Sequence, residues 1–550
     1  MATVLVDGIL VEFDERERLN GIQIARRAGI EIPHYCWHPG LSVVGSCRMC
    51  LVEVGTRNPQ TGEISFLPRL MPACNTIMMD GMVLVTQSAK VQQARAMVQE
   101  DLLLRHPVDC PICDKAGECL LQDYYFQYGV KERRATWRPF TSRRKDIGEK
   151  ITLFIDRCIM CTRCVRFTRE ISGTSELMVR DRGCHQEIDI YPGFPLNNKL
   201  SANVVDLCPV GALGDKDFLY QQRVWYLKSH PGICVHCATG CSIWVDENQD
   251  HVWRLRPREN LFVNKWWICN DGRYSYRQVH SPRRLLGARR KDGECWTEIH
   301  PNDLPAELLS FLNRSERLVA VLSPFLTVEE AYLLAKAIRQ IDPRAPLVLG
   351  YVPRVGEDER FPGEFTISAE KCPNRLGVSE IIAHFSGHVV EVEELSAVIR
   401  RHGAQAVWIS GGYPEGCDLG SWFLGLSELD ISIILHELFP SAVTKVARYI
   451  LAGAAWVERP GSYVNRHHRL QSVPAAIRPP RNVFPEGKLY WQLAGYEGPY
   501  RPDKVLEELA REIPYFRAAL PPVPETGIDL RVNLLAAYPL NEEENSLMNA

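Results

Sequence analysis

The stretch that decides the fold reads Cys158-Ile159-Met160-Cys161-Thr162-Arg163-Cys164. Three cysteines at two-residue intervals place three thiolates on one loop, and this arrangement binds four-iron clusters. The fourth thiolate has two candidates further along the chain, Cys184 and Cys208. Because Cys208 is followed by proline, as in a bacterial ferredoxin run, the pattern favours Cys208 and predicts one [4Fe–4S] cluster.

A set nearer the N-terminus has a different spacing. It consists of Cys36, Cys47, Cys50 and Cys74. Four thiolates can hold either a [2Fe–2S] cluster or a structural zinc ion. The long first interval and the small β-grasp module predicted around it favour [2Fe–2S]. Cys74 is included because no other cysteine lies between Cys50 and Cys110.

The next set contains a histidine. It consists of His106, Cys110, Cys113 and Cys119. Three cysteines leave a four-iron cluster one ligand short, and His106 precedes the incomplete triplet at a suitable interval. An isolated histidine is more often a polar residue near a surface, but this context predicts a ligand. A neutral imidazole makes the cluster less negative than a thiolate does, so its reduction potential should be higher.

The last set predicts a further [4Fe–4S] cluster, with zinc as the alternative. It consists of Cys234, Cys237, Cys241 and Cys269. The four sets use fifteen of the nineteen cysteines, and short repeated intervals in a large chain argue against a disulfide framework. We expect the remaining cysteines to be buried small apolar residues; they are Cys184, Cys295, Cys372 and Cys417. Several clusters in one chain indicate a relay of single electrons.

Composition narrows the class of protein. The chain has 550 residues, a net charge of −3 and 45% hydrophobic residues, which suggests several domains and gives no indication of nucleic-acid binding. No basic segment followed by an apolar core opens the chain, and no run approaches the ~20 apolar residues of a membrane span. We therefore expect a protein that meets a membrane only through partners. Neither a G-x-G-x-x-G nor a Walker A sequence occurs, so no bound dinucleotide or flavin is expected.

Local patterns predict a multidomain α+β and α/β fold. Asp7-Gly8 predicts a hairpin, residues 20–28 a helix and residues 88–105 another helix. In the tail, Thr327 and Glu330 form a capping box that opens a helix at 328–340. Short apolar runs at 318–322, 347–349, 406–409 and 431–435 alternate with helical stretches, which predicts α/β layers.

Five domains follow from these patterns. They are a [2Fe–2S] ferredoxin-type domain at 1–82, a His/Cys-ligated [4Fe–4S] domain at 83–140, a ferredoxin-like [4Fe–4S] domain at 141–222, a further [4Fe–4S] domain at 223–282 and an α/β domain at 283–550.

The order of the sets resembles the large iron–sulfur subunit (75 kDa-type) of bacterial respiratory NADH dehydrogenase, complex I. The resemblance rests on the His106-x3-Cys110 spacing and on residues 32–36 (IPHYC), 46–54 (SCRMCLVEV) and 158–166 (CIMCTRCVR), and it is dense over 1–280. Residues 458–465 (ERPGSYVN) resemble the C-terminal domain of that family. The tail as a whole resembles a shortened, degenerate molybdopterin-oxidoreductase domain, and the set at 234–269 that of a molybdopterin-oxidoreductase [4Fe–4S] domain.

The resemblance implies a function. It implies an electron-transfer subunit of NADH:quinone oxidoreductase that takes electrons from a flavoprotein (FMN/NADH-binding) partner and passes them to quinone-side hydrophilic subunits. Electrons would cross the [2Fe–2S] cluster, then the Cys158 cluster, then the His106 cluster, with the fourth cluster beside this path. It also implies a place in the peripheral arm, on the cytoplasmic side of the bacterial inner membrane.

Three alternatives stay open. A subunit related to NAD-linked formate dehydrogenase would carry the same front modules before a molybdenum domain, but only 281 residues follow Cys269 and no molybdenum is expected. An iron-only hydrogenase would need more cysteines in the C-terminal half. A zinc-stabilised scaffold would carry no electrons.

Overall fold

The computed structural model describes residues 1–130, 132, 134–141, 143–417, 423, 426, 428–520 and 522–532. The chain divides into two compact units. The first is Met1–Leu227 with Phe361–Phe365, and the second is Lys228–Arg360 with Thr366–Ala550. Part of the predicted last domain, residues 533–550, lies outside the described residues.

The first unit opens with a six-stranded mixed sheet crossed by one helix. The strands are β1 (Ala2–Val6), β2 (Ile9–Phe13), β3 (Leu51–Arg57), β4 (Ile64–Phe66), β5 (Met71–Pro72) and β6 (Met82–Val85), and the helix is α1 (Gly21–Arg27). Their order is β2-β1-β6-β3-β4, with β5 on β3, and β1 runs parallel to β6. Asp7 and Gly8 have φ values of 46° and 86°, as a type I′ turn requires. The predicted β-grasp module is confirmed.

The rest of the first unit consists of short elements. They are α2 (Ala89–Arg105), α3 (Leu120–Tyr128), β7 (Arg144–Asp146), β8 (Ile151–Phe154), α4 (Arg163–Glu170), β9 (Leu177–Arg180), β10 (Glu187–Ile190), α5 (Asn203–Leu207) and β11 (Leu213–Asp215). Strands β11, β8 and β7 form one small sheet, and β9 and β10 form a hairpin. Apart from α2, which spans 17 residues, these elements are short, and their buried apolar side chains include Leu153, Phe167 and Val204.

The second unit starts with an antiparallel three-stranded sheet. Its strands are β12 (Lys228–Ile233), β13 (Ser242–Asn248) and β14 (His251–Pro257), and the short helix α6 (Asn270–Tyr274) follows. The tail then contributes β15 (Ala288–Asp292), β16 (Cys295–Ile299), β17 (Leu318–Leu322), β18 (Leu347–Leu349), β19 (Glu359–Phe361), β20 (Phe365–Ile367), β21 (Val390–Glu391), β22 (Ala406–Ser410), β23 (Ser432–Glu437), β24 (Tyr449–Ala452), β25 (Gly461–Val464), β26 (Arg469–Val473) and β27 (Ile528–Asp529). Its helices are α7 (Leu304–Ser315), α8 (Val328–Ile341), α9 (Arg375–Ser386), α10 (Leu395–His402), α11 (Glu486–Leu493) and α12 (Pro502–Glu512).

The tail is built on one eight-stranded sheet in the order β16-β15-β24-β23-β22-β17-β18-β21. The six strands from β24 to β21 are parallel, and the chain proceeds outward from the β17/β22 pair in both directions. Such a doubly wound sheet buries both faces. Along β17, Leu318, Ala320 and Leu322 pack into one core cluster, while Val319 and Val321 pack into another. The predicted α/β layers are therefore confirmed.

The start of α8 carries a buried ionic network. Thr327 Oγ1 accepts from the Glu330 N–H at 3.2 Å, and Glu330 accepts from the Thr327 N–H at 2.9 Å, so the predicted capping box is confirmed. The other function of Glu330 was not predicted. Its carboxylate pairs with Arg459 at 2.9 Å, and Arg459 also lies 3.5 Å from Glu486. All three groups are buried.

The prediction for the four remaining cysteines is only partly right. Cys372 is fully buried and Cys417 is half-buried. Cys184 and Cys295 are exposed, and for them the prediction is wrong. Cys184 lies in the turn between β9 and β10, and Cys295 opens the edge strand β16, so neither position has a second layer to cover it.

The network at Arg459 generates a stability prediction. Arg459→Met should lower the free energy of unfolding by about 3–5 kcal/mol at pH 8, because two buried carboxylates lose their cation. Burial raises the pKa of Glu330 to about 7, so the folded state binds more protons than the unfolded state above pH ~4.5. The loss of stability caused by Arg459→Met should therefore be smaller at pH 6 than at pH 8, because Glu330 is then mostly protonated and needs the cation less. Urea midpoints of the intact chain at both pH values measure it.

Arg501→Met is the matched control. Arg501 is exposed and pairs with Asp503, so its removal should change stability by less than ~0.5 kcal/mol. Equal midpoints for the two variants, or a defect that grows at pH 6, would contradict the interpretation.

Candidate iron–sulfur sites

The first set lies where the loop after α1 returns to the β-grasp sheet. Cys36, Cys50 and Cys74 are buried and Cys47 is half-buried. The Ala73 N–H donates to the Cys50 carbonyl at 2.9 Å, which brings the Cys74 segment beside Cys50. Hydrogen bonds from Cys47 and Cys74 lower the pKa of Cys36, and those with Cys36 and Cys50 raise the pKa of Cys74. The structure thus brings all four predicted thiols together.

The second set surrounds a small cavity between α2 and α3. His106, Cys110, Cys113 and Cys119 all line it. His106 ends α2, and Cys119 immediately precedes α3. Asp109 begins the intervening turn, since its carbonyl accepts from the Cys113 N–H at 2.8 Å.

The imidazole of His106 has the properties of a ligand. Burial, with repulsion from Arg157, lowers its pKa to about 4, so the ring is neutral at pH 7. Its Nδ1 atom is buried and has no hydrogen-bond partner among the described residues. Buried ring nitrogens are normally satisfied, so a neutral ring with a spare nitrogen beside three thiols fits a metal ligand.

The third set is formed by the 158–164 loop and the turn after α5. Cys161, Cys164 and Cys208 are buried and Cys158 is half-buried. Met160 and Thr162 have φ values of 53° and 58°, so the loop coils tightly between its cysteines. Burial, with charge repulsion from Cys208, raises the pKa of Cys161 to about 11. The structure places Cys208 with the triplet, whereas the rival Cys184 is exposed.

The fourth set belongs to the second unit and is fully buried. Cys234, Cys237 and Cys241 lie between β12 and β13, and Cys269 precedes α6. The Cys234 N–H donates to the Cys241 carbonyl at 2.8 Å. Gly272 explains how Cys269 joins them: a Cβ there would lie 2.9 Å from Cys234 Sγ and 3.3 Å from Cys269 Sγ. Only glycine leaves room for both sulfurs.

The first and third sets are joined by two arginines of α4. Arg166 Nη2 donates to the Cys36 carbonyl at 2.5 Å and to the Cys161 carbonyl at 3.1 Å. Arg163 Nη2 donates to the Trp37 carbonyl at 2.6 Å, and its Nη1 donates to the Leu207 carbonyl at 3.2 Å. The helix α4 thus holds main-chain carbonyls of cysteines, or of residues next to cysteines, in both sets.

The third and second sets are joined by the turn after Cys208. The Leu120 N–H donates to the Pro209 carbonyl at 3.0 Å. A Cβ on Gly211 would lie 2.2 Å from Cys113 Sγ, so the turn touches the second set directly. Arg157, the residue before Cys158, pairs with Asp109 at 3.1 Å and lines the cavity of the second set. The third set therefore contacts the segments of both other sets, and Tyr35, the residue before Cys36, also touches α2 and α3 through Gln99 and Tyr124.

These contacts involve residues whose function the sequence did not reveal. Arg157 and Arg166 flank the Cys158 motif and Arg163 lies within it, but their partners lie in distant segments. The sequence feature that could have indicated these contacts is the presence of three arginines within residues 157–166, a stretch that is otherwise mostly apolar. Gly211 and Gly272 carried no comparable signal, because a glycine near a cysteine usually serves the turn alone.

Two features are absent from the described residues. No group of three or more His, Cys, Asp or Glu side chains converges there as for a single metal ion. No helix within the described ranges is long and apolar enough to span a membrane.

Four known families match consecutive stretches of the chain. They are the 2Fe-2S iron-sulfur cluster binding domain at residues 1–89, the NADH-ubiquinone oxidoreductase-G iron-sulfur binding region at 95–134, the ferredoxin-like domain of NADH-quinone oxidoreductase subunit 3 at 148–214 and the molybdopterin oxidoreductase Fe4S4 domain at 227–281. Each of the four sets lies within one of these matches. The chain thus contains both 2Fe–2S and 4Fe–4S binding domains.

Curated relatives of the chain are subunits of NADH-quinone or NADH-ubiquinone oxidoreductase. The G subunit of NADH-quinone oxidoreductase from Rickettsia felis is 35% identical over 345 residues, which is 62% of this chain and 49% of the relative. The NADH-ubiquinone oxidoreductase 75 kDa subunit of Reclinomonas americana is 36% identical over 343 residues, 62% of this chain and 48% of that protein. The chain thus spans about half the length of these relatives.

One solved structure also matches. It is an NAD+-reducing [NiFe]-hydrogenase in the H2-reduced state, with 26% sequence identity and a TM-score of 0.34, covering 40% of this chain and 91% of that one. From the family matches and the curated relatives, the N-terminal half of this chain is similar to the G subunit (75 kDa subunit) of NADH-quinone oxidoreductase, complex I.

Proposed function

We propose that this chain is an electron-transfer subunit of an NADH:quinone oxidoreductase. One [2Fe–2S] cluster is held by Cys36, Cys47, Cys50 and Cys74. Three [4Fe–4S] clusters are held by His106, Cys110, Cys113 and Cys119; by Cys158, Cys161, Cys164 and Cys208; and by Cys234, Cys237, Cys241 and Cys269. When bound, such clusters accept and release single electrons.

The observation that carries the proposal is the contiguity of three sets in one unit. Arg166 bonds to the carbonyls of Cys36 and Cys161, and the Cys208 turn touches Cys113. These contacts support our proposal of a route from the first set through the third to the second. The fourth set belongs to the other compact unit and is proposed not to carry electrons along this route.

The partners follow from the complex I relatives. A flavoprotein partner that oxidises NADH supplies electrons at the first set, and hydrophilic partners leading to quinone receive them at the second. The chain itself performs no hydride chemistry. Its residues hold the ligands, exclude water from the thiols and fix their spacing, all of which affect reduction potential. Attachment to the cytoplasmic side of a bacterial inner membrane would come through these partners.

A relation to NAD-linked formate dehydrogenase is the second candidate, since residues 227–281 match a molybdopterin oxidoreductase Fe4S4 domain. Ligands of doubly wound sheets bind at the carboxyl ends of the strands, where the strand order reverses. Here Phe325, Leu438 and Trp456 line a cavity that has room for about one water molecule. This small cavity supports a tail that carries no molybdopterin.

Purification with partners tests the proposal. A complex isolated through a tag on this chain should contain a flavoprotein, about 14 iron atoms per copy of this chain beyond those of its partners, and no molybdenum. Addition of NADH should bleach the visible absorption of the clusters. Stoichiometric molybdenum with reduction by formate would overturn it, as would zinc in place of iron.

His106→Cys tests the unusual ligand. A thiolate in place of a neutral imidazole makes the cluster more negative, so the cluster should persist with a lower midpoint potential. Redox titration followed by electron paramagnetic resonance measures the shift. His185→Cys, at an exposed histidine, is the control and should leave the midpoint unchanged. An unchanged midpoint in His106→Cys would remove His106 from the ligands.

Cys208→Ser and Cys184→Ser separate the two candidate ligands of the third set. Cys208→Ser should lower the iron content by up to about four atoms per chain or change the resonance of one [4Fe–4S] cluster, since a serine hydroxyl is a poor substitute for a thiolate. Cys184→Ser should behave as the parent protein. The opposite outcome would assign Cys184.

A further inference from the structure

The guanidinium groups of Arg163 and Arg166 are buried without a carboxylate partner among the described residues. The two residues are 7% and 4% exposed, and they lie one turn apart on α4. In the described part of the chain, neither has a carboxylate at ion-pair distance. The nearest acidic residue on the same helix, Glu170, accepts instead from Arg169 and from the N–H and hydroxyl of Ser42.

A buried charge without a counter-ion is costly, and two neighbouring cations add repulsion. Their hydrogen bonds go to neutral main-chain carbonyls, which satisfy donors but do not neutralise charge. Among the groups around Arg163, Cys161, Cys208 and Cys36 favour its charged form, and Arg166 disfavours it. These cysteines belong to the third and first sets, so cluster-bound thiolates of both sets would supply the compensating charge.

We propose that Arg163 and Arg166 are positioning residues that hold the ligand loops of the first and third clusters at a fixed separation and raise the reduction potential of both. The inference rests on the proposed ligand sets. Thiolate-ligated clusters are negative and become more so on reduction, so a nearby buried cation favours the reduced form. One helix acting on two clusters would keep their potentials matched.

Hydrogen bonds from Arg166 to main-chain carbonyls hold the cysteine loops of the first and third sets in position. Arg166 Nη2 bridges the Cys36 and Cys161 carbonyls, and its Nη1 donates to the Ser42 carbonyl. Ser42 is held a second time by Glu170, at 2.9 Å from its N–H and 2.6 Å from its hydroxyl. The loop between Cys36 and Cys47 is thereby fastened to α4. A lysine cannot form this planar fork, although it keeps the charge.

Arg157 provides an internal contrast. It is also buried and also lies beside a cysteine of the third set, but Asp109 pairs with it at 3.1 Å. Because its charge is compensated by a carboxylate, its contribution to cluster potential should be smaller than that of Arg163 or Arg166.

The test compares two substitutions at Arg166 in the complete purified complex. Arg166→Gln removes the charge, and the reduced-to-oxidised ratio of both clusters at a fixed ambient potential should fall about tenfold, or ~59 mV for a one-electron couple. Arg166→Lys keeps the charge and should shift the potentials less. It should instead change the spin–spin interaction between the reduced clusters, which reports their separation. Variants lacking one ligand of each set assign the resonances.

Arg169→Gln is the matched control, because it removes the same charge from the same helix at an exposed residue paired with Glu170. It should leave both potentials unchanged. The inference is overturned if Arg166→Gln retains both midpoints, or if Arg169→Gln shifts them equally. If Arg166→Gln does not assemble, Arg163→Gln and Arg166→Lys decide by the same readouts. Absence of the two resonances from the parent protein would instead contradict the proposed ligand sets.

Discussion

The hydrogen bonds from the arginines of α4 to main-chain carbonyls are the interaction on which the first unit depends. Several cysteines of the three sets lie on loops between the regular elements. Arg163 and Arg166 reach from one helix to Trp37, Cys36 and Leu207, so segments far apart in sequence meet at fixed positions. Arg157 makes the corresponding contact to the second set through Asp109. The motif at 158–164 is thus both a ligand loop and the structural centre of the unit.

The second unit is stabilised mainly by apolar packing. Its doubly wound sheet buries two apolar faces, and that packing alone accounts for an ordered domain. At the strand ends, where such sheets bind ligands, large side chains and Arg459 line a small cavity. Arg459 is held there by buried ion pairs with Glu330 and Glu486.

Much of the molecule could be predicted from sequence because its signals are local. The Asp7-Gly8 hairpin, the capping box at Thr327 and the apolar runs of β17, β18 and β22 depend on residues within a few positions of one another. The order of the ligand sets was likewise sufficient for the family. Exposure of the remaining cysteines was not predictable, because it depends on which strand or turn lacks a covering layer. Cys184 and Cys295 look like Cys372 in sequence and differ from it only in the fold.

Cysteine spacing alone was enough to propose which residues bind iron, because it limits the cluster that a loop can hold. Local patterns were also enough to predict the β-grasp module and the alternation of strands and helices in the tail. Which sets are neighbours, and which residues lie between them, became visible only in the folded chain. Contacts such as Arg166 with Cys36, or Gly211 with Cys113, join segments separated by about a hundred residues. No local pattern encodes such pairs, because they arise only when the packing of the whole unit is fixed.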